Sequence, residues 1–396
     1  MCTSSDAPRP ADRRVAQVGV SAAIMTLNLP RTLFAAGAIS ALRAELHAIG
    51  VCRPMLVTDK GLVLAGLADK AVRAYGDAAS LVVFDDVTEN PLFSDVDRGV
   101  ARYAQQACDG VVALGGGSVI DTAKFIALLA TNAGSVARYA GVPNAAHEAS
   151  APLIAIPTTA GTGSEASPSA GIHPDSITAS VGMSSRYLVP TVAILDPDLT
   201  KSLPSRLVAA TGIDALSHCI EGYLSKKDQP LGKSIALDGI ARVSRNLRRV
   251  VADGNDKSAR AEMMLAAYAG GISIGMGLGP AHAVALTCSD QGFHHGVLSG
   301  IGLVATLDAT AEHVPERVAA AAEAFGLRSS ESLSRAVAAL MRELGLPTTL
   351  AELGYAMSDL HALADAAHRS HFNLSAALHP TASRYADMIA ASLVPA

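Results

Sequence analysis

Apolar and polar positions follow two different rhythms along this chain. In the first half, compact apolar runs at residues 53–58, 81–84, 111–114 and 153–156 predict buried strands. Helical spacing over 100–108 and 120–130 falls between them, with Gly110 read as a helix stop and Asn90-Pro91 as a loop. Strand alternating with helix predicts an α/β layer with a mostly parallel sheet. From Asp198 the rhythm changes to longer amphipathic stretches. Helices are expected over 206–223, 231–251, 258–274, 300–312, 315–324, 333–344 and 360–367. Pro315 suits the first turn of its helix, where its missing N–H costs nothing, and Gly345 with Pro347 suits a stop. The expected organisation is an α/β N-terminal domain at residues 1–197 and an all-helical C-terminal domain at 198–396.

Composition narrows the class. The chain has 396 residues, half of them hydrophobic and 17% charged, which excludes a mainly disordered protein. Its formal net charge is -5 and no run of Lys and Arg stands out, so nucleic acid is not an expected partner. Residues 15–29 are apolar-rich, but Gln17, Ser21, Thr26 and Asn28 interrupt them. Neither a signal peptide nor a membrane partner is expected there. The five cysteines, Cys2, Cys52, Cys108, Cys219 and Cys288, are odd in number and form no CxxC. That favours free thiols in a cytoplasmic protein over disulfides or a zinc knuckle.

Two glycine-bearing loops follow predicted strands. Gly115-Gly116-Gly117-Ser118 leads into a predicted helix. Glycine lets a phosphate approach the backbone, and the helix can offer its first amides to a pyrophosphate. The segment is not the GxGxxG dinucleotide fingerprint, and a plain turn satisfies the same pattern. Thr158-Thr159-Ala160-Gly161-Thr162-Gly163-Ser164-Glu165 follows another strand and offers small residues and hydroxyls, as a polar turn also does. Together the loops can form one cofactor crevice at the strand ends. Asp59 also ends a strand. It can accept from an adenosine ribose and repel the 2′-phosphate of NADP, or cap the next turn.

Asp214 and His218 stand four residues apart on a predicted helix and so share a face. His282 follows a glycine-rich turn, and His294-His295 lies on a later segment. One carboxylate with three imidazoles can bind a divalent metal and leave room for substrate. Iron, zinc, manganese and nickel are not separated by these ligand types.

Taken together these segments resemble the iron-containing, or group III, alcohol dehydrogenases. The resemblance runs from about Thr32 to near the end of the chain. It rests on Gly115–Lys124 (GGGSVIDTAK), Thr158–Glu165 (TTAGTGSE), Asp196-Pro197, and Gly212–His218 (GIDALSH). It implies a dehydroquinate-synthase-like fold: the α/β domain, then the helical domain, with the cofactor in the cleft between them. It implies Asp214, His218, His282 and His295 as metal ligands, with Fe2+ the expected ion and Zn2+ the alternative. It implies NAD as cofactor, with Asp59 selecting NAD over NADP. Gly116, Gly117 and Ser118 would serve the pyrophosphate, and Thr158, Thr159 and Thr162 the second cofactor loop. A homodimer is the working expectation for its assembly.

The chain also departs from the family pattern. Leu286 stands where many relatives carry a further His, so a proton relay through that imidazole is absent. His294 replaces a common Pro and becomes the candidate catalytic residue for proton handling. Ser180 aligns with a common Lys of the cleft. The expected reaction is reversible hydride transfer between NAD(H) and a small alcohol/aldehyde or hydroxy-acid/semialdehyde pair. Leu278–Ala283 resembles the hydroxy-acid branches, and Arg186 or Arg384 is a candidate anchor for a substrate carboxylate. The competing readings are a hydroxyacid-oxoacid transhydrogenase and a non-catalytic metal- or nucleotide-binding relative.

Overall fold

The structure is a computed structural model that describes residues 26–142, 144–176, 178–328 and 330–394. Cys2 and most of the 15–29 apolar stretch lie outside the described residues. Eight strands are present: β1 (Arg31–Phe34), β2 (Pro54–Val57), β3 (Val82–Phe84), β4 (Gly110–Gly115), β5 (Leu153–Pro157), β6 (Ser169–Ile172), β7 (Val181–Ser184) and β8 (Val192–Leu195). Six of them form one sheet in the order β1-β8-β5-β4-β2-β3, and every pairing in it is parallel. The β6–β7 pair is a separate antiparallel ribbon.

The central strands are buried along their whole length, as a parallel sheet covered on both faces requires. Successive side chains of β4 serve opposite cores. Val111 and Ala113 pack with Phe125 and Ile126 of the Gly117–Leu129 helix, while Val112 and Leu114 pack with Leu42 and Leu46 on the other face. From residue 205 onward the described residues form helices and connecting turns, without a strand. Their core is centred on the Ser205–Leu224 helix, which is buried from Ala209 to Gly222. The Pro230–Ala252 and Lys257–Ile274 helices flank it, and Pro280–Thr287 and His295–His313 close the far side. The chain is thus a parallel α/β layer joined to an all-helical layer, as the sequence predicts. Among the described residues no helix is long and apolar enough to cross a membrane.

Several bounds differ from expectation. The helix expected at 100–108 spans Phe93–Gln105, and Gly110 opens β4 instead of ending that helix. Its first turn carries Ser94, Asp95, Asp97 and Arg98, which mask the apolar period. Asp95 starts the helix by accepting from the Leu92 amide at 3.2 Å. The helix expected at 300–312 begins at His295, because His294 caps it: the ring Nδ1 accepts the Gly296 amide at 3.1 Å. Cys52, Cys108, Cys219 and Cys288 are all free thiols.

Candidate active site

The two glycine-bearing loops lie at the carboxyl ends of neighbouring strands β4 and β5. They touch each other. A Cβ built on Gly117 would stand 2.8 Å from Thr162 Cγ2, and one on Gly116 would stand 3.2 Å from Thr159 Cγ2. The Gly117–Leu129 helix has no side-chain cap, so its first amides remain available to an anion. Ser118 Oγ donates to the Glu89 carbonyl, and Thr158 is buried with its amide on the Gly115 carbonyl at 3.0 Å. Asp59 lies past the end of β2 and caps the Lys60–Leu64 helix, with Oδ1 accepting the Leu62 amide at 2.9 Å.

The second loop is pressed onto the helical layer. Gly163 adopts φ +64°, a conformation that favours glycine, and a Cβ there would stand 2.3 Å from the Gly271 nitrogen. Gly161 sits against Thr211, one turn before Asp214 on the same helix. The loop therefore ties the crevice at the strand ends to the helix that carries Asp214.

Asp214, His218, His282 and His295 come together, each offering one ligand atom, and those atoms lie within 4.8 Å of one another. Asp214 Oδ1 is 3.7 Å from His218 Nε2 and 3.9 Å from His295 Nε2. The His218 and His282 rings stack at 4.9 Å, and His295 tilts against His282 at 5.5 Å. Asp214, His218 and His282 are buried, whereas the His295 side chain keeps 48% of its surface exposed. Three polar atoms of the cluster, Asp214 Oδ1, His218 Nδ1 and His282 Nε2, are buried without a hydrogen-bond partner among the described residues. Buried polar atoms cost free energy unless something meets them. One carboxylate and three imidazoles with unused lone pairs fit a divalent cation.

Electrostatics favour the ligand-ready protonation states. Burial pushes the His218 imidazole down to about 4, which outweighs the opposing pull of Asp214. Burial also lowers His295, against the opposing pull of Asp214. Burial opposes ionisation of Asp214, but the surrounding imidazoles, His218 first, hold its carboxyl below the usual carboxylate range. These directions favour neutral His218 and His295 imidazoles beside an ionised Asp214 carboxylate near neutral pH.

Two neighbours of the cluster escape a reading by residue type. Glu221 is buried and binds His282 Nδ1 at 2.6 Å. Its signal is spacing: Asp214, His218 and Glu221 fall on one face of one helix. Phe372 packs edge-on against the His282 ring at 5.6 Å, from a short turn, His371–Leu374, whose sequence carries no motif.

The other candidates have surroundings of their own. Arg186 lines a cavity with Leu153 at the start of β5, the end of the sheet opposite the loops, and its guanidinium stacks over Tyr187 at 4.7 Å. Arg384 is committed to Glu312 at 3.2 Å on the surface. Ser180 precedes β7 and lies 3.1 Å from a Cβ built on Gly171. Leu286 occupies the Pro280–Thr287 helix one turn beyond His282.

Comparison with known proteins places this arrangement. Residues 30–197 match the model of iron-containing alcohol dehydrogenase, and residues 208–391 match that of the C-terminal part of the same family. The chain belongs to the iron-containing alcohol dehydrogenase family. It is an oxidoreductase of the alcohol dehydrogenase type, and its fold is the family's dehydroquinate-synthase-like one. It is 40% identical to a 4-hydroxybutyrate dehydrogenase of Cupriavidus necator over 331 residues, which is 80% of this chain and 86% of that protein. A crystal structure of 1,3-propanediol oxidoreductase superposes with a TM-score of 0.87 at 30% identity, covering 93% of this chain and 100% of the other. The sulfoacetaldehyde reductase of Bifidobacterium kashiwanohense, solved in complex with NAD+, superposes with a TM-score of 0.84 at 27% identity, covering 94% and 99%.

Proposed function

We propose that this family member transfers hydride reversibly between NAD(H) and a small hydroxy-acid/semialdehyde pair, with 4-hydroxybutyrate and its semialdehyde as the leading substrates. The observation that carries the chemistry is the Asp214–His218–His282–His295 cluster, whose first two members share a helix with Thr211, which the second loop touches. The substrate class is supported by the 40% identity to a protein named for that hydroxy acid. NAD is supported by the likeness to a structure solved with it.

In this reading Asp214, His218, His282 and His295 hold the cation, with ferrous iron expected and zinc the alternative. Bound in the cleft, a divalent cation supplies Lewis-acid polarisation of the substrate oxygen and NAD supplies the hydride acceptor. The chain's own residues do the rest. Gly116, Gly117 and Ser118 present backbone to the pyrophosphate at an uncapped helix start, while Thr158, Thr159 and Thr162 line the facing side. Asp59 accepts from the ribose. Phe372 covers the His282 side of the cluster and helps to exclude water. His294 is the nearby proton-handling group. Its Nδ1 is occupied by the Gly296 amide, so the neutral ring carries its proton at Nε2 and acts as a donor there. To take up a proton from the substrate the ring must open that cap at Nδ1, and it then returns the proton from the imidazolium; water or a ribose hydroxyl is the alternative carrier. The division at residues 197 and 198 separates the nucleotide-side domain from the metal-side domain, and two such chains form a homodimer.

The test is NADH oxidation by protein reconstituted anaerobically with iron, across small aldehydes and semialdehydes. Turnover that needs the metal, is fastest with the semialdehyde of 4-hydroxybutyrate, and falls at least about a hundredfold in Asp214→Ala is expected. Normal metal content and rate in Asp214→Ala would sink the ligand assignment. Exchange between two carbonyl–alcohol pairs without free NADH turnover would replace the dehydrogenase reading with the transhydrogenase one.

A further inference from the structure

Glu221 is a buried carboxylate on the helix that carries Asp214 and His218. Three donors converge on it. Oε1 accepts the Ala281 amide at 2.8 Å, and Oε2 accepts the His282 amide at 3.2 Å and faces His282 Nδ1 at 2.6 Å. An ionised carboxylate only accepts, so the proton of this last bond sits on Nδ1. The other ring nitrogen, Nε2, is then unprotonated. It is also the atom of His282 that is buried without a partner among the described residues. The close approach is built into the chain: a Cβ on Gly279 would stand 2.8 Å from Glu221 Oε1. Gly279 precedes the Pro280–Thr287 helix and offers no side-chain cap, so Glu221 caps that helix from a distance.

We propose that Glu221 is the positioning residue of the metal centre, fixing the tautomer and aim of His282. This inference rests on the reading of the four-residue cluster as a cation site. Two physical effects follow from the one carboxylate. It holds the imidazole with Nε2 free to ligate, and its charge makes that nitrogen a better donor. It also adds a second negative charge beside Asp214, so that the buried carboxylates balance a divalent cation in charge. Gln at this position loses the charge and holds the tautomer only at the cost of an unmet backbone N–H. It offers one carbonyl oxygen to three donors, and its amide group must face either a backbone N–H or Nδ1. Facing Nδ1, it would draw the ring proton onto Nε2 and block the ligand atom.

A helix cap alone would give a different signature from a positioning residue, which separates the two roles. The full chain is stripped with a chelator and titrated with Co2+, using the visible absorption of the bound ion and competition by a chelator of known affinity. Thermal unfolding of the stripped protein is followed in parallel. Glu221→Gln is expected to weaken Co2+ binding about 10- to 100-fold and to change the visible spectrum, as loss of an outer carboxylate does elsewhere. Glu221→Asp, which keeps the charge on a shorter arm, is expected to restore part of the affinity. Co2+ affinity within twofold of wild type in Glu221→Gln overturns the inference, whether or not the stripped protein loses stability. If Glu221→Gln does not fold, wild-type Co2+ affinity and spectrum in Glu221→Ala overturn it equally. Asp214→Ala is run beside them. Normal Co2+ binding there removes the metal-site reading itself, whereas binding lost there and intact in Glu221→Gln removes the Glu221 role alone.

Discussion

Asp59 shows how one carboxylate can serve two purposes. Its Oδ1 caps the Lys60–Leu64 helix, which explains its place beyond β2 without any cofactor. The cap and a ribose contact are compatible, because a carboxylate has about four acceptor sites. Asp59→Gly separates them. Glycine at a cap costs only about a few tenths of a kcal/mol, so stability should hardly move. Losing the charge should raise the kcat/KM ratio of NADP to NAD about tenfold, equivalent to ~1.4 kcal/mol. Unchanged relative efficiencies would leave Asp59 as a cap alone. At this scale the sequence was legible wherever residue type itself is unusual. Asp214, His218, His282 and His295 attract notice as ligand-capable groups among apolar neighbours. Glu221 does not, because a single Glu on a long helix ordinarily faces water. Its burial becomes intelligible only once Ala281 and His282 are seen to donate to it.

Among the elements, the contact that sets the cleft is backbone on backbone. Gly163 of the second loop and Gly271 of the Lys257–Ile274 helix approach so closely that a Cβ on Gly271 would stand 2.0 Å from the Gly163 carbonyl oxygen. The obstacle is main chain, which cannot rotate away. Gly271→Ala should therefore force the loop off the helix, costing about 1–3 kcal/mol or more by overpacking. A lower urea midpoint should accompany weaker NAD binding, since the displaced loop includes Thr158, Thr159 and Thr162. A midpoint and NAD affinity equal to wild type would show that this contact does not position the loop. This pairing was invisible in the chain, where Gly163 and Gly271 read as separate turn and helix glycines. Strands β2, β4 and β5 were legible because a sheet covered on both faces leaves short uninterrupted apolar runs. Edge strand β1 reads RTLF, mixed and largely exposed, and it gave no such run. The β6–β7 ribbon, SAGI with VGMS, is too short and too polar to stand out from loop.

Across the whole molecule, the two kinds of chemistry are supplied by different layers. Every side chain of the metal-capable cluster comes from the helical layer, on the Ser205–Leu224, Pro280–Thr287 and His295–His313 helices. The two glycine-bearing loops hang from β4 and β5 of the parallel sheet. Within the second loop the two are joined by the packing of Ala160 on the helical core and of residues 161 and 163 onto Thr211 and Gly271. Cation and nucleotide should therefore stabilise different parts of the fold. A ligand at about 100 times its Kd adds ~2.7 kcal/mol to the states that bind it. Hydrogen exchange reports where that energy is felt, because local openings are suppressed only in the elements that the ligand ties together. Co2+ added to the stripped protein should slow exchange in the three ligand-bearing helices and leave the 115–118 segment nearly unchanged. NADH added alone should slow exchange at 115–118 and 158–165, with little effect on the Pro280–Thr287 helix. When both are present, the Ser205–Leu224 helix should be protected beyond either single addition, since it carries Asp214 and also meets the loop at Thr211. Protection by Co2+ that spreads equally over both layers would show that they open as one unit, and that the site is not divided between them in energy as it is in position.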